Sequence, residues 1–195
     1  MDNKKPTLDK ILWLDLEMTG LIPETDVIIE AAAIITNEQL EELDCYHKVV
    51  KQSKNHLEKM DKWNQKCHRQ SGLYDLIPKG KDLFLVEEDL LSLVTKHFGE
   101  KDHIVILAGN CISQDRSFIR KYMPRLDKKL FYRMLDVTAW KLIFERQGFI
   151  FEKANKHRAL EDTRESIREM RFYLNNVDFK KSSLSANAIE EIRKT

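Results

Sequence analysis

Residues 11–17 read ILWLDLE, an apolar run with the signature of a buried strand into which two acids have been set. The period of two along a strand puts Asp15 and Glu17 on one face, side by side. Burying two carboxylates together costs on the order of several kcal/mol unless something compensates. A divalent cation compensates well. A lone D-x-E also has a plainer explanation, a strand that ends early and leaves its acids solvated at a turn.

Working outward, MTGLIPETD (18–26) carries Gly20 and Pro23 and reads as a loop. VIIEAAAII (27–35) reads as a second strand, and Thr36-Asn37-Glu38 turns the chain towards a third, CYHKVVK (45–51). Three consecutive strands with short connections predict an antiparallel meander. From His56 to Gly72 the spacing of Leu57, Met60, Trp63 and Cys67 predicts a broken helix, with Trp63 as a core aromatic its plainer reading. A longer amphipathic helix follows at 84–98, its apolar face built from Phe84, Leu90, Leu91, Val94 and Phe98, and Gly99 stops it. HIVILAGN (103–110) is a buried strand ending in a Gly-Asn turn. Asp115 opens a helix to about Tyr122, halted by Pro124. Asp136 is placed as the N-cap of a further helix, with Val137, Trp140 and Phe144 inside and Gly148 beyond. The last helix starts near Arg158, and Leu160, Thr163, Ile167, Met170 and Leu174 form its buried stripe. The expected fold is α/β, a mixed sheet flanked by helices. The divisions are a polar segment at 1–10, one domain at 11–176, and a polar tail or short helix at 177–195.

The 195 residues suffice for one domain with a substantial core. Lys and Arg number 33 against 32 Asp and Glu, a formal charge of +1 that argues against a long duplex nucleic acid partner. Cys45, Cys67 and Cys111 have neither zinc spacing nor an even count, so reduced thiols and a cytoplasmic setting are expected. No apolar run approaches the length of a membrane span, and the N-terminus lacks a signal-peptide pattern.

Further acids bear on the D-x-E pair. Asp115 follows a buried strand at the sheet edge where α/β folds place ligand groups, although taken singly it reads as a helix N-cap. Asp162 lies at the edge of the last helix's buried stripe; singly, it is a first-turn acid complementing the helix dipole. His157, five residues earlier, is either an incidental surface residue between Lys156 and Arg158 or a general base. Together they offer hard oxygen ligands of the kind Mg²⁺ or Mn²⁺ takes, a base, and no soft ligands for zinc.

WLDLEMTGL (13–21), AGNCISQD (108–115), YRMLDV (132–137) and HRALEDTRESI (157–167) resemble, in order, the motifs of the oligoribonuclease family. That family groups DEDDh 3′→5′ exonucleases of the ribonuclease H-like superfamily, and the likeness runs from about Ile11 to Asn176. The resemblance implies a ribonuclease H-like fold and two divalent ions held by Asp15, Glu17, Asp115 and Asp162, with His157 as base. It implies that Leu21 and Trp63 wedge the bases, that His68 and Ser71 stand near the substrate, and that Cys111 takes a phosphate-capping position. It also implies a homodimer in which Tyr132 and Arg133 reach the partner's active site and cap a very short RNA, a dinucleotide to about a pentamer. Two departures stand out. Cys111 replaces the family's usual serine, a poorer donor to phosphate, and KLIFERQGFIFEKANK (141–156) is shorter than usual and lacks a tryptophan-proline stretch.

Three competing readings make distinct predictions. A DEDDh exonuclease for longer RNA or DNA would share the chemistry but not the short-substrate cap. A haloacid dehalogenase-like phosphatase would use Asp15 as nucleophile, but it needs Asp where Glu17 stands. An inactive nucleotide-binding module would bind without releasing mononucleotides.

Overall fold

The computed structural model describes residues 9–100, 104–153 and 157–176. The expected tail at 177–195 and most of the N-terminal segment lie outside them. Strand β1 (Lys10–Met18) pairs antiparallel with β2 (Ile28–Asn37), which pairs antiparallel with β3 (Glu42–Val49). The meander forms as expected. On the other side β1 runs parallel to β4 (Val105–Gly109), and β4 parallel to β5 (Leu130–Asp136). Among the described residues these make one five-stranded sheet of order β3-β2-β1-β4-β5.

Strand β5 was missing from the sequence-based expectation, which had four strands. Its residues LFYRMLD show no apolar–polar alternation because it is an edge strand, with Tyr132 and Arg133 exposed in its middle. Pairing with β4, not local pattern, makes it a strand.

The helices are α1 (Lys54–Lys59), α2 (Lys62–Gln70), α3 (Leu83–Phe98), α4 (Ile112–Tyr122), α5 (Pro124–Asp127), α6 (Val137–Phe144) and α7 (Ala159–Asn176). The break expected between 56 and 72 falls at Met60-Asp61, where Asp61 caps α2 by accepting from the Asn64 amide. Pro124 ends α4 by heading α5, where its missing N–H costs nothing.

The alternation of β1 divides the core. Leu12, Leu14 and Leu16 pack with Val86, Leu90, Leu93, Val94 and Phe98 of α3 and with Phe118 and Ile119 of α4. Ile11 and Trp13 point the other way, into a cluster with Val137, Ile167, Met170 and Tyr173. Asp15 and Glu17 continue the Ile11–Trp13 series, so the sheet aims them at the side covered by α7. Three apolar residues depart from expectation. Phe84 is exposed at the first turn of α3 beneath the Arg125 guanidinium, 4.6 Å from its ring centroid. Leu174 is exposed, and α7 buries Thr163, Ser166, Ile167, Met170 and Tyr173 instead. Trp63 is no core aromatic: it is 63% exposed. Among the described residues no helix is long and apolar enough to cross a membrane.

Candidate active site

At the C-terminal end of β1 the sheet delivers Asp15 and Glu17 to one face, and the first turn of α7 delivers Asp162 opposite them. One carboxylate oxygen from each of the three lies within 4.8 Å of the others. Asp115 reaches the same region from α4, fully turned inward, its Oδ1 accepting a hydrogen bond from the Leu16 amide at 2.9 Å. That bond ties α4 to β1 between the two strand acids. Asp115 stands beside the trio and does not complete it. Nor is it an N-cap: Cys111 occupies that position with φ +49°, and Asp115 sits one turn in.

Burial first, and neighbouring acids after it, raise the pKa of all four carboxyls. Burial, then Asp115, Glu17 and Asp162, push the Asp15 carboxyl well above its ordinary range, while Lys153 pulls it back. Burial, followed by Asp162, Glu30 and Asp115, raises Glu17 to about 8. Asp115 is raised to about 7, chiefly by burial, against the Leu16 hydrogen bond. Asp162 is raised too, by burial above all, against its hydrogen bond from the Arg158 amide. Nearby cations, Lys153 on Asp15 and Arg158 on Glu17, offset these rises only in part. An all-oxygen donor set of this density fits hard divalent cations such as Mg²⁺ or Mn²⁺, whose charge would restore every carboxylate to its ionised form.

His157 lies immediately before Arg158, at the entry to α7, with φ +51°. Its ring meets Trp63 edge-on at 5.9 Å between centroids. Next to Trp63 opens a cleft of about 690 Å³ lined by Thr19, Leu21, Ile22, Lys59, Trp63 and Asn64 among others. Leu21 is 69% exposed there, and its carbonyl accepts from Gln114 Nε2 at 2.7 Å. The loop bearing Leu21 is built on Asp26, which takes bonds from Thr19 Oγ1 (3.1 Å) and the Ile22 amide (2.9 Å). A Cβ at Gly20 would meet the Asp26 carboxyl group at about 2.5 Å, so a larger residue there would have to displace the side chain that ties the loop. The cleft thus presents two exposed apolar side chains, Leu21 and Trp63, and the second of them meets the His157 imidazole.

The exonuclease family profile matches residues 12–170. Oligoribonuclease from Francisella tularensis subsp. novicida is 41% identical over 169 residues, covering 85% of this chain and 94% of that one. Oligoribonuclease from Alkalilimnicola ehrlichii is 42% identical over 171 residues, 84% and 86% of the two chains. The chain belongs to the oligoribonuclease family of exonucleases. The fold agrees: E. coli exonuclease I, in its zinc-bound complex with single-stranded DNA, superposes with a TM-score of 0.66 at 15% identity over 87% of this chain. This chain spans 41% of that larger protein's length. Family membership overturns the phosphatase reading of D-x-E.

The remaining residues of the oligoribonuclease pattern fall into three places. His68 lies behind the cleft, 3% exposed, its Nε2 3.2 Å from the Met18 carbonyl, with burial lowering its pKa. Ser71, the C-cap of α2, donates from Oγ to the His68 carbonyl at 3.3 Å. Cys111 is exposed, and its amide donates to Asp136 Oδ1 (3.1 Å) and Thr138 Oγ1 (2.9 Å). Tyr132 and Arg133 are exposed on the edge strand β5, the guanidinium 5.2 Å from the Tyr132 ring centroid.

Two buried carboxylates of this site went unmarked in the sequence reading. Glu169 of α7, wholly buried, takes bonds from Lys153 Nζ (2.7 Å), Asn110 Nδ2 (3.0 Å) and the Tyr173 hydroxyl (3.1 Å). Asn110 also donates to Ser166 Oγ at 2.8 Å, so the Gly-Asn turn is stitched to α7. Glu30 of β2, also wholly buried, is bonded by Arg158 and the Ala159 amide. The legible signal for Glu30 was a single charge inside the otherwise apolar VIIEAAAII.

Proposed function

We propose that this 3′→5′ exoribonuclease degrades very short RNA, dinucleotides to about pentamers, to 5′-mononucleotides in the cytoplasm. The observation that carries the reading is the convergence of Asp15, Glu17 and Asp162 within 4.8 Å, with His157 five residues before Asp162 and against Trp63 of the Leu21–Trp63 cleft. Asp15, Glu17 and Asp162 would hold one divalent ion, and Asp15 with Asp115 a second. When bound, such ions lower the pKa of the attacking water and stabilise charge on the leaving oxygen.

The protein's own groups supply the rest. Trp63 and Leu21 give the terminal bases a stacking and wedging surface that tolerates any sequence. That surface holds the 3′-terminal nucleotide with its phosphate over the acids. His157, one ring contact from Trp63, takes a proton from water as the water oxygen attacks phosphorus in line. The bond from phosphorus to the 3′-oxygen of the preceding nucleotide breaks, and that oxygen regains a proton from solvent. Cys111, at the mouth of α4, would contact the substrate phosphate more weakly than a serine.

The short-substrate part of the proposal draws on the family's oligoribonucleases, on the near-zero net charge and on Tyr132 and Arg133. In a homodimer these two would reach the partner's cleft and block longer strands. The test is chromatographic, with 5′-labelled RNA of two, five and twenty nucleotides, given Mn²⁺ or chelator. Metal-dependent mononucleotide release, fastest on the dinucleotide or pentamer, supports the proposal. Fastest cleavage of the twenty-mer moves the protein among long-substrate exonucleases, and no release at all defeats the catalytic reading.

A further inference from the structure

The side chain of Glu30 uses both its oxygens inside the protein. Oε1 accepts from Arg158 Nε at 3.0 Å and from a terminal guanidinium nitrogen of Arg158 at 2.8 Å, and His47 Nε2 lies 2.7 Å away. Oε2 accepts from the Ala159 amide at 2.9 Å. The last contact is a helix cap supplied from a distant strand: Ala159 opens α7, and its amide has no partner within the helix. Burial alone would push the Glu30 carboxyl up. The bonds from His47, Arg158 and Ala159 outweigh it and hold the group below its ordinary range.

The position of this carboxylate is what gives it meaning. Glu30 is the cross-strand partner of Glu17 in the β1–β2 register, so the two share a face of the sheet. Arg158 directly follows His157, and its amide donates to Asp162 Oδ2 at 3.1 Å. One buried carboxylate therefore joins β2, the neighbour of the strand holding Glu17, to the start of α7, with the base one residue before Arg158 and the fourth acid four residues after it. His157 adopts a left-handed backbone, which a histidine keeps only where its surroundings hold it.

We propose that Glu30 and Arg158 are positioning residues, a buried clamp that fixes His157 and Asp162 against Glu17; this rests on the exonuclease reading of the site. Neither residue touches the reacting phosphate. Their effect is on where the base stands, and a displacement of about 1 Å in such a group costs up to about 100-fold.

The experiment compares the full-length wild type with Arg158→Met, with Glu30→Gln, and with Arg164→Met. Arg164, six residues beyond Arg158 along the chain in α7, forms an exposed ion pair with Glu42 and serves as the control. Dinucleotide hydrolysis with Mn²⁺ gives kcat and KM, and the ring Cε1–H resonance of His157 reports its surroundings directly. We expect kcat to fall about 10- to 100-fold in the two clamp variants, with KM held within about threefold because Leu21 and Trp63 are untouched. The His157 resonance should shift towards its position in an unfolded peptide, and the control should match wild type in all three readings. Glu30→Gln keeps the side-chain volume and covers the case in which Arg158→Met does not fold. Wild-type kcat and an unmoved His157 resonance in a folded clamp variant overturn the proposal, as does the same loss in the control. An inactive wild type overturns the exonuclease reading and the clamp with it.

Discussion

Glu17 ionises only against burial and three neighbouring acids, which is why its carboxyl sits near 8 instead of 4.5. A group whose folded pKa is raised binds more protons folded than unfolded, so its contribution to stability is complete below about 4.5 and is lost as pH climbs through 8. Asp115, raised from 3.8 to about 7, acts in the same direction. In chelator, the melting temperature should therefore fall between pH 5 and 8. Added Mn²⁺ should raise it strongly at pH 8 and little at pH 5, as read by differential scanning fluorimetry. A chelated protein that grows more stable across this range would contradict the raised carboxyls described here. Calorimetric titration with Mn²⁺ at pH 7 should release protons, visible as a heat that changes with the buffer's ionisation enthalpy. At the same scale, Asp162→Ala should abolish turnover, because it removes one of the three converging carboxylates, and metal-dependent activity in that variant would sink the assignment. His157→Ala should lower kcat by about 10²–10⁴-fold if it acts as base; near-normal turnover would assign water activation to the metal alone.

Strand β1 and helix α7 make the site by meeting at a fixed distance, and the elements around them protect that distance. Gly109, ending β4, illustrates this. A Cβ there would lie 2.8 Å from the Leu14 carbonyl and 2.9 Å from the Ile112 side chain. The backbone of β1 cannot yield without moving Asp15, its next residue. Gly109→Ala should cost about 1–3 kcal/mol, the usual range for overpacking, measured by urea unfolding. It should also weaken Mn²⁺ binding, and a variant with unchanged metal affinity would show that β1 is not strained. Helix α7 is held independently at two levels, by Glu30 at its first residue and by the Asn110–Glu169–Lys153 group three turns along.

For the whole molecule, the proposed homodimer gives a prediction that a lone chain cannot satisfy. Tyr132→Ala and Asp162→Ala chains should each be poorly active on dinucleotides, the first lacking the cap and the second the metal ligand. Mixed and allowed to exchange subunits, they should regain activity, since one site per heterodimer then has intact acids and a partner's Tyr132. Sedimentation velocity should show the dimer in all three samples. A mixture no more active than its parts, or a monomeric wild type, would remove the cap from the account. Strand β5, an exposed edge with aromatic and basic residues at its centre, is the part of the surface this experiment probes.

The sequence by itself determined the meander and the helix that carries the last motif, because each rests on a local period, and it nominated four acids and a histidine through an ordered string of motifs. Two acids two residues apart in an apolar strand must share a face, whatever the rest of the chain does. Only the tertiary structure decided the rest. LFYRMLD became a strand through its pairing with β4, Trp63 was left exposed beside His157, and Asp115 came to stand next to the acid trio, bonded to the Leu16 amide. The same is true of Glu30 and Glu169. Glu30 is the one charge in its strand and Glu169 one of several in its helix, and the burial of each is offset in part by a donor from far along the chain, Ala159 on Glu30 from 129 residues away and Asn110 on Glu169 from 59. Local patterning fixes which face a side chain takes, but the partners that make a buried charge stable are set by packing between elements distant in the chain.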